Sequence, residues 1–115
     1  MTTVVRPWGT FRVIETQESF QIKQLVVFPN SRLSLQSHQF RAEHWFVVAG
    51  TANVEIDDQI LTLRPGESVQ IPIKSRHRVT ALGENPLIFI EIQTGSSFDE
   101  DDIVRYEDDY GRSGL

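Results

Sequence analysis

Leu33-Ser34-Leu35-Gln36-Ser37-His38 alternates, and Arg41-Ala42-Glu43-His44-Trp45-Phe46-Val47-Val48-Ala49-Gly50 follows it after two residues. Side chains at i and i+2 of a strand project to the same face. Leu33 and Leu35 therefore share one face, and Gln36 and His38 share the other. The run from His44 to Ala49 is a second strand, closed by Gly50. The turn at Arg41-Ala42 is short enough to bring Glu43 back alongside Gln36 and His38. Two adjacent strands would then offer an amide, an imidazole and a carboxylate to one space.

The pattern continues outward in both directions. Phe11–Ile14 and Phe20–Phe28 are rich in strand formers. Thr51–Ile56 alternates and runs into Asp57-Asp58, a tight turn, before Ile60–Leu63. Arg64-Pro65-Gly66-Glu67 breaks that strand, Ser68–Ile71 stops at Pro72, and Arg78–Leu82 and Leu87–Gln93 flank Gly83-Glu84-Asn85-Pro86. Many short strands with turn signals between them predict an all-β sandwich or closed barrel. Only Asp99–Tyr106 has a pattern compatible with a turn or two of helix. The barrel is expected over residues 10–95 of a single domain. The tail, 96–115, carries Asp99, Glu100, Asp101, Asp102, Glu107, Asp108 and Asp109. Because Phe98, Ile103, Val104, Tyr106 and Tyr110 interrupt that charge, the tail is expected to pack on the barrel.

Composition narrows the functions. A chain of 115 residues, 39% hydrophobic and 23% charged, is ordinary for one globular domain. It has no cysteine, which excludes disulfides, thiolate metal sites and a cysteine nucleophile, and fits a cytoplasmic protein. No apolar run approaches the roughly 20 residues of a membrane helix, and the first residues lack a signal-peptide core. A net charge of −5 argues against a nucleic-acid partner.

The pattern Asn30, Gln36-x-His38, Glu43, Gly50, followed by Gly66, Pro72 and His77, resembles the two signature motifs of the cupin superfamily. That resemblance implies a jelly-roll barrel (a double-stranded β-helix) with a divalent ion held by Gln36, His38, Glu43 and His77. Such N and O donors suit zinc, manganese, iron, cobalt or nickel. His44, next to Glu43, should face the other way. Asn30 and Lys74 stand where the motifs have glycine; Asn30 tolerates positive φ, and Lys74 is less comfortable there.

A glutamine at the first ligand position narrows the resemblance. Arg6-Pro7-Trp8-Gly9, Leu33–Gln36, Arg41–Trp45, Val48–Ala52, Ile71–Ile73, Arg76–Arg78, Glu91–Gly95, Glu100–Arg105 and Tyr110–Arg112 resemble the cupin domain of type II phosphomannose isomerases. In that family the domain often follows a mannose-1-phosphate guanylyltransferase domain, whose activity is not expected of this chain. Phosphomannose isomerases bind zinc through a Gln, His, Glu, His set, so the resemblance implies zinc first. The resemblance implies metal-dependent interconversion of mannose 6-phosphate and fructose 6-phosphate through an enediol. Where that family reads three consecutive histidines, this chain reads His38-Gln39-Phe40. A metal-containing cupin that binds a sugar phosphate as a sensor or structural subunit is therefore the alternative.

The isomerase needs a base, for which Glu91 and Lys23 are the candidates. Glu91 and Gln93 share one face of their strand, but alternation does not say which face is inward. It also needs cations for the phosphate. Arg41 and Arg78 flank the ligands in sequence, Arg105 lies in the matched tail, and Arg78 is also a candidate for transition-state charge. A homodimer is expected, with the N-terminal strand as a shared edge.

Overall fold

In a computed structural model, residues 2–111 are described, and Arg112 lies outside them. The strands are β1 Thr3–Arg6, β2 Gly9–Thr16, β3 Phe20–Val27, β4 Leu35–Ser37, β5 Arg41–Ala49, β6 Thr51–Ile56, β7 Gln59–Leu63, β8 Ser68–Ile71, β9 His77–Leu82, β10 Leu87–Gly95 and β11 Val104–Glu107. They form two sheets, a six-stranded one in the order β1-β2-β3-β10-β5-β8 and a five-stranded one in the order β11-β4-β9-β6-β7. Every strand pairing is antiparallel. The result is a jelly-roll barrel. No helix long and apolar enough to cross a membrane occurs among the described residues.

Register explains why one end of the barrel is a core and the other a site. Along β3 the inward residues run Gln21, Lys23, Leu25, Val27, and their partners on β10 are Gln93, Glu91, Phe89 and Leu87. On β5 the partners of Gln93, Glu91 and Phe89 are Glu43, Trp45 and Val47. All of these side chains are buried. The barrel is therefore layered, with Val27, Leu87, Leu25, Phe89 and Val47 packed against Val54, Val79 and Ala81 at one end. Charged and amide side chains fill the other end. Fully burying each large apolar side chain contributes about 1.5–3 kcal/mol, which offsets the cost of desolvating the polar layer.

The tail is tied down at many points. β11 pairs with β4, and Arg105 lies opposite Gln36 in that ladder. Tyr106 Oη and Ser37 Oγ are 2.9 Å apart, and Arg32 makes a two-nitrogen ion pair with Asp109. The helical turn expected at Asp99–Tyr106 does not form. The Asp99 carboxylate accepts from Asp101 N at 2.9 Å, closing a tight turn, and the chain then extends to pair as β11. Side-chain acceptors of this kind compete with helical hydrogen bonding.

Asn30 and Lys74 both have left-handed backbone, with φ of 61° and 70°. The Lys74 amide donates to His38 O at 2.8 Å, so its unfavourable φ is held by the residue beside the site. Gly50 is the glycine the turn requires: its φ is +80°, and an added Cβ would lie 2.5 Å from Pro86 O. Gly50→Ala should destabilise the protein by about 2–4 kcal/mol, from left-handed strain plus backbone overpacking, measured by urea unfolding.

Candidate metal centre and cavity

His38 follows β4, Glu43 lies in β5 and His77 opens β9, and their donor atoms lie within 4.8 Å of one another. Nε2 of His38 is 3.3 Å from Glu43 Oε2, and Nε2 of His77 is 3.8 Å from Glu43 Oε1. All three side chains are buried. Gln36 pairs with His77 across β4 and β9 and lines the same cavity. Its Nε2 faces Ser34 O at 3.4 Å and Ser34 Oγ at 3.2 Å. A carbonyl can only accept, which fixes the nitrogen there and leaves Oε1 as the atom available to an ion.

The hydrogen bonds set both imidazole tautomers. His38 Nδ1 lies 2.7 Å from Asp102 O, and His77 Nδ1 lies 3.0 Å from Ser75 O. Both partners are acceptors, so each Nδ1 carries the proton and each Nε2 keeps its lone pair. For His38 the opposite side agrees, since Arg41 Nη2, which can only donate, lies 3.3 Å from Nε2. Orientation through the distal nitrogen is the usual support of a metal-bound histidine. Two neutral imidazoles, one carboxylate and one amide oxygen fit a zinc-like divalent ion.

The electrostatics follow from burial. Desolvation, reinforced by Arg41 and by His77, pulls His38 down to about 4. His77 is pulled down to about 4, chiefly by desolvation. Glu91 is pushed up to about 7 by burial and then by the charge of Glu43. These shifts predict the pH dependence of the chelated protein. From about pH 4.5 to 6.5 the unfolded chain holds up to two more protons on the histidines and one fewer on Glu91. Stability should therefore rise by about 1.4 kcal/mol per pH unit over that window. From pH 6.5 to 7 the histidine contribution is complete while Glu91 still loses ground, so stability should dip. Urea titrations in excess chelator at half-unit pH steps would check the slope, and a flat profile would contradict it.

The donors open on a cavity of about 160 Å³. Glu91 lines it, its Oε1 accepting from Trp45 Nε1 at 2.9 Å and its Oε2 from Gln93 Nε2 at 2.7 Å. Both Glu91 and Gln93 thus face inward, as does Lys23, the strand partner of Glu91. Arg41 donates through Nε to Glu43 Oε2 at 3.0 Å. Arg105 and Arg78 also line the cavity. Arg78, however, is already engaged, with Nε on Leu33 O and Nη1 and Nη2 on Glu107. It anchors the tail. His44 sits opposite Ile92 and Gln70, outside the barrel.

Three residues were not singled out as site residues from sequence. Arg6 and Glu100 line the cavity, although both lie in the segments that carried the resemblance. Asp102 orients His38 through its carbonyl and accepts Gln39 N and Phe40 N through its carboxylate, at 2.9 and 3.0 Å. The side chains of Gln39 and Phe40 are exposed on that turn and do not line the cavity.

The chain matches the family described as Mannose-6-phosphate isomerase C-terminal over residues 1–108. It is 49% identical over 110 residues to the xanthan biosynthesis protein XanB of Xanthomonas campestris, covering 96% of this chain and 24% of that protein. It is 50% identical over 110 residues to the alginate biosynthesis protein AlgA of Pseudomonas aeruginosa, covering 96% of this chain and 23% of that protein. It is 47% identical over 109 residues to mannose-1-phosphate guanylyltransferase ManC of Salmonella typhimurium, covering 95% of this chain and 23% of that protein. The chain thus spans about a quarter of the length of these curated relatives. Among solved structures, oxalate decarboxylase of Bacillus subtilis has a TM-score of 0.82 at 21% identity, over 90% of this chain and 29% of that one. The Cnp3 cupin domain of Schizosaccharomyces pombe has a TM-score of 0.76 at 8% identity, over 83% of this chain and 69% of that one. The fold is that of a cupin.

Proposed function

The chain belongs to the mannose-6-phosphate isomerase C-terminal family, and from that premise we propose that it interconverts mannose 6-phosphate and fructose 6-phosphate with a bound divalent ion. The observation that carries the proposal is the convergence of His38, Glu43 and His77 on the cavity that also holds the buried carboxylate of Glu91. An aldose–ketose step needs a polarised carbonyl and a base on the adjacent carbon, and this cavity has groups for both.

Gln36, His38, Glu43 and His77 would hold the ion, zinc being the best match to the donors. Such an ion supplies Lewis-acid polarisation of a carbonyl and stabilisation of enediolate charge. Glu91 takes the proton from C2 and returns it to C1, while the O2 proton is exchanged for one on O1. The Trp45 and Gln93 hydrogen bonds hold the Glu91 carboxylate in place during this transfer.

The alternative, a metal-containing cupin that binds a sugar phosphate without turning it over, rests on Gln39 and Phe40 standing in place of histidines. Neither side chain lines the cavity, so the isomerase reading draws its groups from elsewhere in the site, and turnover separates the two readings. Turnover of mannose 6-phosphate in D₂O tests the enediol route. Deuterium should appear at C1 of fructose 6-phosphate and, on reversal, at C2 of mannose 6-phosphate. Product without any deuterium, together with undiminished turnover in Glu91→Gln, would point to a direct hydride shift and remove Glu91 from its role.

A further inference from the structure

We propose that Lys23 and Arg6 form an anion subsite in the wall of the cavity, that the carboxylate of Glu100 occupies it at rest, and that a phosphate monoester displaces Glu100 on binding. The identity of the sugar rests on the isomerase reading; the subsite does not.

Lys23 Nζ lies 2.7 Å from Glu100 Oε1, but the two side chains are placed very differently, 5% and 59% exposed. The ammonium belongs to the barrel and the carboxylate reaches in from outside. Among the described residues, Glu100 is the one hydrogen-bond acceptor of Nζ, whereas an ammonium has three donors. Arg6 lines the same cavity as Lys23 and Glu100, and Lys23 Nζ and Arg6 Cζ lie 4.6 and 5.3 Å from the centroid of the Phe11 ring. Although burial works against it, Lys23, then Arg41 and Arg6, hold the Glu100 carboxyl below the ordinary carboxylate range. The cluster is therefore already selective for a negative group.

Two further observations make Glu100 displaceable. Asp102, Tyr106, Glu107 and Asp109 fasten the tail through contacts of their own, so Glu100 can swing out without releasing it. The cavity with Glu100 in its wall is about 160 Å³, below the roughly 300–1,000 Å³ of ordinary ligand pockets. Moving Glu100 out of the wall would widen this space for a hexose phosphate. Without Glu100 the buried ammonium has no hydrogen-bonded anion and only the charge of its strand partner Glu91 nearby, which favours exchange of Glu100 for another anion over its simple departure. A phosphate brings more charge and more acceptor oxygens than the carboxylate it replaces.

Calorimetric titration of metal-loaded protein with inorganic phosphate tests this. Glu100→Gln removes the resident anion's charge and should tighten phosphate binding by roughly five-fold or more, because the competent state no longer has to be opened. Lys23→Met should weaken it by about ten-fold or more, one charge-assisted contact being lost. Should Lys23→Met fail to fold, the half-buried Arg6 provides the second test, and Arg6→Gln should weaken phosphate by about three-fold or more. Phosphate affinity that is unchanged or weaker in Glu100→Gln, or unchanged in both cation variants, overturns the subsite. If affinities move as stated but mannose 6-phosphate is never turned over, the isomerase reading fails and the subsite stands. Turnover with phosphate affinity indifferent to these residues gives the reverse.

Discussion

His77→Ala is expected to lower affinity for the divalent ion by more than about 100-fold and to leave the barrel folded. Removing a residue that only orients a ligand costs roughly 10- to 100-fold, and His77 would be a ligand itself. Its Nδ1 proton is committed to Ser75 O, so Nε2 is the atom presented to Glu43 and the ion. The neighbouring Arg78 cannot replace it, being a cation without a lone pair and already bonded to Leu33 O and Glu107. The ring also packs edge-on against Trp45, with centroids 5.6 Å apart, so some stability will be lost with it. His77→Gln keeps more of that volume and separates the two effects. Competition with a chromophoric chelator gives the affinity, and circular dichroism gives the fold. A folded His77→Ala protein that holds the ion as tightly as wild type would show that the ion sits elsewhere.

The second large effect concerns Glu91. Glu91→Gln should lower kcat by about 10²- to 10⁴-fold, the contribution of a positioned general base, while metal content and KM stay close to wild type. The replacement is nearly isosteric, but it cannot take a proton, and its NH₂ must face either Trp45 Nε1 or Gln93 Nε2, both of them donors. Some local repulsion is therefore built into the variant, so Glu91→Ala should be measured beside it. Lys23, the other base candidate, is held by Glu100 at 2.7 Å and serves better as a charge than as a base. Near-normal turnover in Glu91→Gln would return Lys23 to consideration.

Much of this was legible in sequence because the barrel is made of short strands closed by Gly, Pro and Asp turns. The i, i+2 spacing of Gln36 and His38 carried the site, since strand geometry leaves little freedom at that separation. Orientation on the long strands was not legible. β5 has apolar residues on both faces, with Phe46 and Val48 outward and Trp45 and Val47 inward. Its inward face then turns polar at Glu43 and Arg41, against the usual rule of hydrophobic residues inside. Only pairing with β10 settles which face is which, and that is why Glu91, Gln93 and Lys23 could be named but not placed. β1 was too short to stand out, and the tail's acidic run concealed a paired strand. The roles of Asp102 and Glu100 depend on a contact across more than sixty residues of chain, for which local spacing carries no signal.

The most direct measurement of the central claim is a coupled assay for fructose 6-phosphate formed from mannose 6-phosphate, run on chelated protein and on the same protein titrated with zinc or cobalt. Turnover is predicted to be absent from the chelated protein and to rise in proportion to bound ion, reaching its maximum at one ion per chain. Protein that binds one ion and also binds mannose 6-phosphate, yet forms no fructose 6-phosphate at any metal loading, would contradict it.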